Sequence, residues 1–70
     1  MRKPLPLRNL RRVRTLNQED LARLVGIGQQ SLSKIERGLL VPSVDVQERL
    51  AAILGASRQL LFPDDERVAS

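Results

Sequence analysis

The sequence predicts an all-α protein, a compact five-helix bundle, and three observations carry that prediction. Apolar residues recur three and four positions apart along most of the chain, and β-branched alternation is sustained nowhere. Glycines 26, 38 and 55 fall where apolar stripes end, as left-handed helix terminators do. The 70 residues make one domain and include no cysteine, so no disulfide supplements the core and the helices must pack well.

Taken in order, Pro4 and Pro6 make an extended lead, and Leu7, Leu10 and Val13 mark a first helix running to about Arg14. The second helix has the most redundantly marked start. Asn17 stands as cap, Asp20 at the third helical position, and Leu16 and Leu21 at the two places of a hydrophobic staple. Leu21, Leu24 and Val25 form its inward stripe, and Gly26 ends it. A third helix restarts near Gln29: Leu32 and Ile35 renew the stripe, Ile27 and Leu32 repeat the staple spacing around Gly28, and Gly38 closes it. So short a gap, closed by glycine, predicts two helices held at a steep angle, a helix-turn-helix over about residues 18–37.

Pro42-Ser43 opens the fourth helix, with Ser43 as cap and Val46, Leu50, Ile53 and Leu54 on one face until Gly55. Ser57 caps a short fifth helix carrying Leu60, Leu61 and Phe62. Pro63 stops it before a polar tail, about residues 64–70, that is expected to fray. There is no internal repeat and no low-complexity linker, so residues 1–70 are read as a single domain.

Lys and Arg total 12 against 8 Asp and Glu, a net charge of +4. The surplus is concentrated, because Arg2, Lys3, Arg8, Arg11, Arg12 and Arg14 all precede the first acid, Glu19. A polyanion fits that face, although charge alone equally describes a solvated surface. Histidine, cysteine, tyrosine and tryptophan are all missing, which removes the commonest general base, the thiolate nucleophile and most transition-metal ligands. The carboxylates sit at helix starts, on helical faces or in the run Asp64-Asp65-Glu66, where capping or solvation explains them. No enzyme activity, cofactor or metal site is expected. The opening MRKPLPL lacks the apolar core of a secretory signal, and no segment approaches the ~18 apolar residues of a membrane span, so a soluble cytoplasmic chain is expected. The absence of cysteine fits a reducing compartment.

Between Asn17 and Gly38 the restricted positions fall where the geometry needs them: small Ala22 where the second helix crosses close to the first, Gly26 at the turn, and Leu21, Val25, Ile27, Leu32 and Ile35 facing inward. With Arg11, the NQxxLAxxVG of the second helix, the QQS opening the third, Glu36-x-Gly38 and the Pro-Ser of the fourth, the chain from Leu7 to Phe62 resembles the Cro/C1-type (XRE) helix-turn-helix regulators. Within that family it resembles the lambdoid phage repressors. The resemblance implies a lambda-repressor-like DNA-binding domain whose third helix enters the major groove of double-stranded DNA by its amino-terminal end. A glutamine amide offers one donor and one acceptor side by side, matching adenine N6 and N7. Gln29 and Gln30 are thus the expected base readers, with Ser33 and Lys34 farther along.

Phosphate contacts supply most affinity and set register. The helix starts at Asn17-Gln18, Gly28-Gln29 and Ser43-Val44 offer amide hydrogens for them, joined by Ser31, Arg37, Arg8, Arg12 and Arg14. The resemblance further implies that Gln18 holds a phosphate and that Arg11 and Glu36 pair beneath the motif. Four departures stand out: Gly28 where a serine or threonine usually caps, Thr15 in place of a common glycine, Gln47 where an apolar residue is usual, and the greasy loop Leu39-Leu40-Val41.

A lone domain of this kind binds weakly, so such proteins pair and read two half-sites about one helical turn apart. The surface for an isologous homodimer is Leu39, Leu40 and Val41 with Leu60, Leu61 and Phe62. For Leu60 and Phe62 core closure is the competing use, whereas three successive apolar residues in one loop cannot all point inward. The sequence therefore reads as a homodimeric transcriptional repressor, most simply a phage, plasmid or restriction-system switch. The alternative is an antitoxin-like module whose partner is a toxin or another regulator, for which an acidic or apolar recognition tip would have argued.

Overall fold

The computed structural model describes residues 6–65; residues 1–5, with Arg2, Lys3 and Pro4, and the tail 66–70 lie outside them. Five helices follow in order: α1 (Pro6–Val13), α2 (Gln18–Val25), α3 (Gln29–Glu36), α4 (Val44–Leu54) and α5 (Arg58–Leu61). No strand occurs among the described residues. Pro6 opens α1 instead of preceding it in extended chain. A first helical residue has no intrahelical use for the N–H that proline lacks.

The end of α1 is strained. The Thr15 N–H bonds the Arg12 carbonyl at 2.9 Å and the Leu16 N–H reaches back to Arg11 at 3.2 Å, which turns Thr15 into the left-handed region at φ 56°. That region disfavours side chains with a Cβ by roughly 1–2 kcal/mol, and β-branching worsens the fit. Thr15→Gly is expected to stabilise the domain by ~1 kcal/mol, read as a higher urea midpoint at unchanged slope. A midpoint that falls instead would mean that the 2.6 Å bond from the Thr15 hydroxyl to the Arg14 carbonyl outweighs the strain.

Local signals delimit α2 and α3. The Asn17 Oδ1 accepts the Asp20 N–H at 2.7 Å, and at the other end Gly26 stands at φ 85° with its N–H on the Ala22 carbonyl at 2.8 Å. After Ile27, α3 begins behind Gly28, whose backbone is extended and which supplies no side-chain cap. Gly38, at φ 75°, turns the chain out of α3. Ser43 caps α4 through Val46 at 3.3 Å, and Ser57 caps α5 through Leu60 at 3.1 Å.

One core lies between the helices: Leu7 of α1, Leu21 and Val25 of α2, Leu32 and Ile35 of α3, Leu50 and Leu54 of α4, and Leu61 of α5, each almost wholly buried. Two stripe assignments need correction, because Val13 and Leu24 are exposed. In α1, Leu7, Leu10 and Arg11 share the inward face, and Val13 lies on the opposite side of the helix. In α2 the inward set is Leu21, Ala22 and Val25, which leaves Leu24 on the flank.

The fifth helix also differs from expectation. Leu61 and Phe62 close the core, at 0% and 5% exposure, while Leu60 faces outward at 53%. Leu61 and Phe62 are therefore corrected from the surface set to the core. The unusual Gln47 is fully buried with both ends of its amide used: Nε2 donates to the Pro42 carbonyl at 3.1 Å and to the Asp65 carboxylate, and Oε1 accepts from Arg58 Nε at 2.8 Å. A buried amide satisfied in this way is tolerated where an apolar side chain would otherwise stand.

Candidate nucleic-acid interface

The amino-terminal end of α3 is a polar, solvent-facing tip. Gln29, Gln30 and Lys34 are exposed, with Ser31 and Ser33 half-buried beside them. Leu32 and Ile35 anchor the opposite face of α3 in the core, which fixes the outward direction of the tip. Because Gly28 has no side chain to cap the helix, the first amides of α3 have no side-chain acceptor from it.

Beside this tip lies a concavity of about 150 Å³ lined by Arg8, Gln18, Ser33, Glu36 and Arg37. Arg8 comes from α1, Gln18 from the first turn of α2, Ser33 and Glu36 from α3, and Arg37 follows α3 directly. Its floor is a buried ion pair. Arg11 Nε meets Glu36 Oε2 at 2.6 Å and Arg11 Nη2 donates to Glu36 Oε1 at 3.0 Å, with the side chains 10% and 2% exposed. Arg11 Nη1 also donates to the Leu16 carbonyl at 2.9 Å, so one guanidinium ties α1, the α1–α2 turn and α3 together. Gln18 Nε2 donates to the same Glu36 Oε1 at 3.2 Å. The exposed Arg37 folds back weakly, Nε on the Ser33 carbonyl at 3.3 Å.

Other site residues divide by what they already hold. The oxygens of Asn17 and Ser43 cap their own helices, leaving the Asn17 amide nitrogen and the Ser43 hydroxyl proton to face outward groups. Arg12 is exposed on α1. Arg14 is placed differently from the reading above. Its Nη2 donates to the Leu54 carbonyl at 3.3 Å and closes over Gly55, where an added Cβ would meet it, so it serves the carboxyl end of α4. Arg49 does the same for α2, donating to the Val25 carbonyl at 3.2 Å. Neither pairing was visible in the sequence, since the partners are 40 and 24 residues away.

Leu39, Leu40 and Val41 are exposed in the loop between α3 and α4, and Leu60 is exposed on α5. Among the described residues no carboxylate cluster is placed to hold a metal ion, and no helix is long and apolar enough to cross a membrane.

A helix-turn-helix domain family model matches residues 6–61. The chain is 35% identical over 60 residues to the transcriptional repressor RstR of the cryptic phage CTXphi from Vibrio cholerae, covering 86% of this chain but only 54% of RstR. Its fold superposes on the restriction-modification controller protein C.AhdI from Aeromonas hydrophila with a TM-score of 0.71 and 36% identity, over 80% of this chain and 85% of the controller. The amino-terminal DNA-binding domain of SinR from Bacillus subtilis gives a TM-score of 0.70 at 30% identity, covering 89% and 90% of the two chains. The extent of these matches places this chain in the Cro/C1-type helix-turn-helix family of transcriptional regulators.

Proposed function

We propose that the protein is a cytoplasmic, sequence-specific regulator that binds double-stranded DNA as a homodimer and represses transcription by occupying an operator. The observation that carries this reading is the exposed tip of Gln29, Gln30 and Lys34 at the start of α3, flanked by the Arg8, Gln18, Ser33 and Arg37 concavity. Amides on the tip suit adenine edges, and the flanking donors suit backbone phosphates on either side of the groove. Arg12, the Asn17 amide, Ser31, Ser43 and the uncapped first turn of α3 extend the phosphate contacts. Arg14, also exposed, joins this set through the guanidinium donors that its one bond to the Leu54 carbonyl leaves over.

Leu39, Leu40, Val41 and Leu60 form the surface for a second copy of the chain, and the half-sites it would read lie about one helical turn apart. The same exposed apolar residues favour a second reading, an antitoxin-like module that binds a protein partner and uses DNA only for its own control. A chain of a solved SinR–SinI protein complex is among the structural neighbours, at 26% identity and a TM-score of 0.74, covering 63% of that chain.

Selection from a random pool of duplexes near ~0.15 M salt, where nonspecific binding is weak, separates the two readings. A two-fold symmetric motif with half-sites one turn apart supports the dimeric repressor; a pool returned without enrichment overturns it. On the selected site, Gln29→Ala is expected to lose roughly 1–3 kcal/mol while nonspecific affinity stays nearly unchanged. Arg12→Ala should do the reverse, weakening binding to every sequence and shallowing the salt dependence by about one counterion. Equal loss from Gln29→Ala on all duplexes would reassign that residue to the backbone.

A further inference from the structure

Glu36 lies at the floor of the concavity, yet nothing assigns it a part in ligand binding beyond its pairing with Arg11. Its Oε1 accepts from two donors at once, Arg11 Nη2 at 3.0 Å and Gln18 Nε2 at 3.2 Å. We propose that Glu36 is a positioning residue for DNA: it holds the Gln18 amide in the one orientation that presents a donor to a backbone phosphate. This rests on the reading of the concavity as a phosphate seat.

A carboxylate only accepts hydrogen bonds, so it must face the nitrogen of the Gln18 amide and never its oxygen. One N–H of that nitrogen is spent on Glu36, which leaves its second N–H for a ligand in the concavity that Gln18 lines with Arg8, Ser33 and Arg37. Released from Glu36, the amide can turn and offer its oxygen, which repels a phosphate. The negative charge of Glu36 does not itself disqualify the seat, because Arg11 engages both carboxylate oxygens at 2.6 and 3.0 Å. The chain Arg11, Glu36, Gln18 thus carries the register of α1 through α3 to the first turn of α2, where the phosphate is met.

The sign of the effect separates positioning from bulk charge. Glu36→Gln removes a negative charge from the DNA-binding face, so charge alone predicts tighter binding. Positioning predicts weaker binding, since one turn of the new amide sets a donor against both Arg11 Nη2 and Gln18 Nε2, and the other keeps an oxygen for Gln18 but sets a donor against Arg11 Nε and loosens the pair that aims it. The experiment is a double-mutant cycle on the selected duplex with wild type, Gln18→Ala, Glu36→Gln and the double variant, each measured where it is folded. Gln18→Ala should lose about tenfold, as expected of one hydrogen bond to a charged group. Glu36→Gln should lose several-fold, and the double variant should lose no more than Gln18→Ala, with the salt slope unmoved by Gln18→Ala because no cation is lost.

Full additivity of the two losses, or tighter binding by Glu36→Gln, overturns the proposal. Because Glu36→Gln also weakens a buried pair and can fail to fold, a wild-type measurement stands beside it. The nitrogen-15 order parameter of the Gln18 side-chain amide should approach the ~0.85 of rigid backbone, and a value below ~0.6 overturns the proposal without any variant. Wild-type protein that binds no duplex at all removes the DNA reading itself. Wild type that binds while Gln18→Ala is indistinguishable from it removes only the inference about Glu36.

Discussion

Arg11→Met is expected to lower the free energy of unfolding by about 3–5 kcal/mol, because it leaves the Glu36 carboxylate buried without its counter-charge. The Glu36 side chain is 2% exposed, and among the described residues the other donor to it is Gln18 at 3.2 Å. At ~0.05–0.15 kcal/mol per residue a chain of this length has roughly 4–10 kcal/mol in all, so the variant loses about a third or more of its stability and unfolds in buffer if wild type lies at the low end of that range. Urea denaturation followed by circular dichroism measures it, urea being uncharged. The paired replacement Arg11→Met with Glu36→Leu should recover most of the loss, since the penalty belongs to the orphaned charge more than to the worth of the bond. A single variant that loses less than ~1 kcal/mol would show that water reaches the carboxylate once Arg11 is gone.

Two neighbouring leucines of α5 should behave in opposite ways. Leu61 is fully buried, and Leu61→Ala is expected to cost ~2–5 kcal/mol through lost transfer energy and the cavity left behind. Leu60 is 53% exposed and its truncation leaves no cavity, so Leu60→Glu should stay within ~0.5 kcal/mol of wild type in stability. Its effect falls on assembly instead. A carboxylate in place of an apolar contact residue is desolvated without a counter-charge when the copies pair, and sedimentation equilibrium should show a monomer at concentrations where wild type is a dimer. If wild type is itself monomeric with and without DNA, the homodimer is wrong. If Leu60→Glu still pairs, the interface lies elsewhere.

The helices and their ends could be read from the chain because the groups that delimit them act over about one turn. Asn17 with Asp20, Gly26, Ser43 and Ser57 all bond within four residues of themselves, and each stands where the local pattern puts it. The polar start of α3 was legible for the same reason: once Leu32 and Ile35 are inward, helical geometry sends Gln30 and Lys34 outward, and Gln29 is exposed because it opens the helix.

Periodicity was a poorer guide to burial at the edges of a stripe. Leu24, Val13 and Leu60 fit an apolar face by composition and are exposed, whereas Arg11 and Gln47 are charged or polar and buried. Helices this short touch their neighbours along a narrow strip, and the neighbour's position chooses the strip. The long arginines were less legible still. Arg8 and Arg37 reach the concavity, Arg14 and Arg49 close the ends of other helices, and Arg58 turns inward to Gln47, yet in the chain all are surface-type cations.

Capping, staple spacing and glycine terminators thus suffice for the five helices, the tight turn and the outward tip, since each is an interaction between near neighbours in the chain. The ion pair beneath the tip, the hold of Glu36 on Gln18, the satisfied amide of Gln47 and the division of Leu60 from Leu61 exist only once the helices are packed. They depend on groups brought together from 11 to 25 residues away, or on which side of a helix its neighbours cover, and neither is encoded in local spacing.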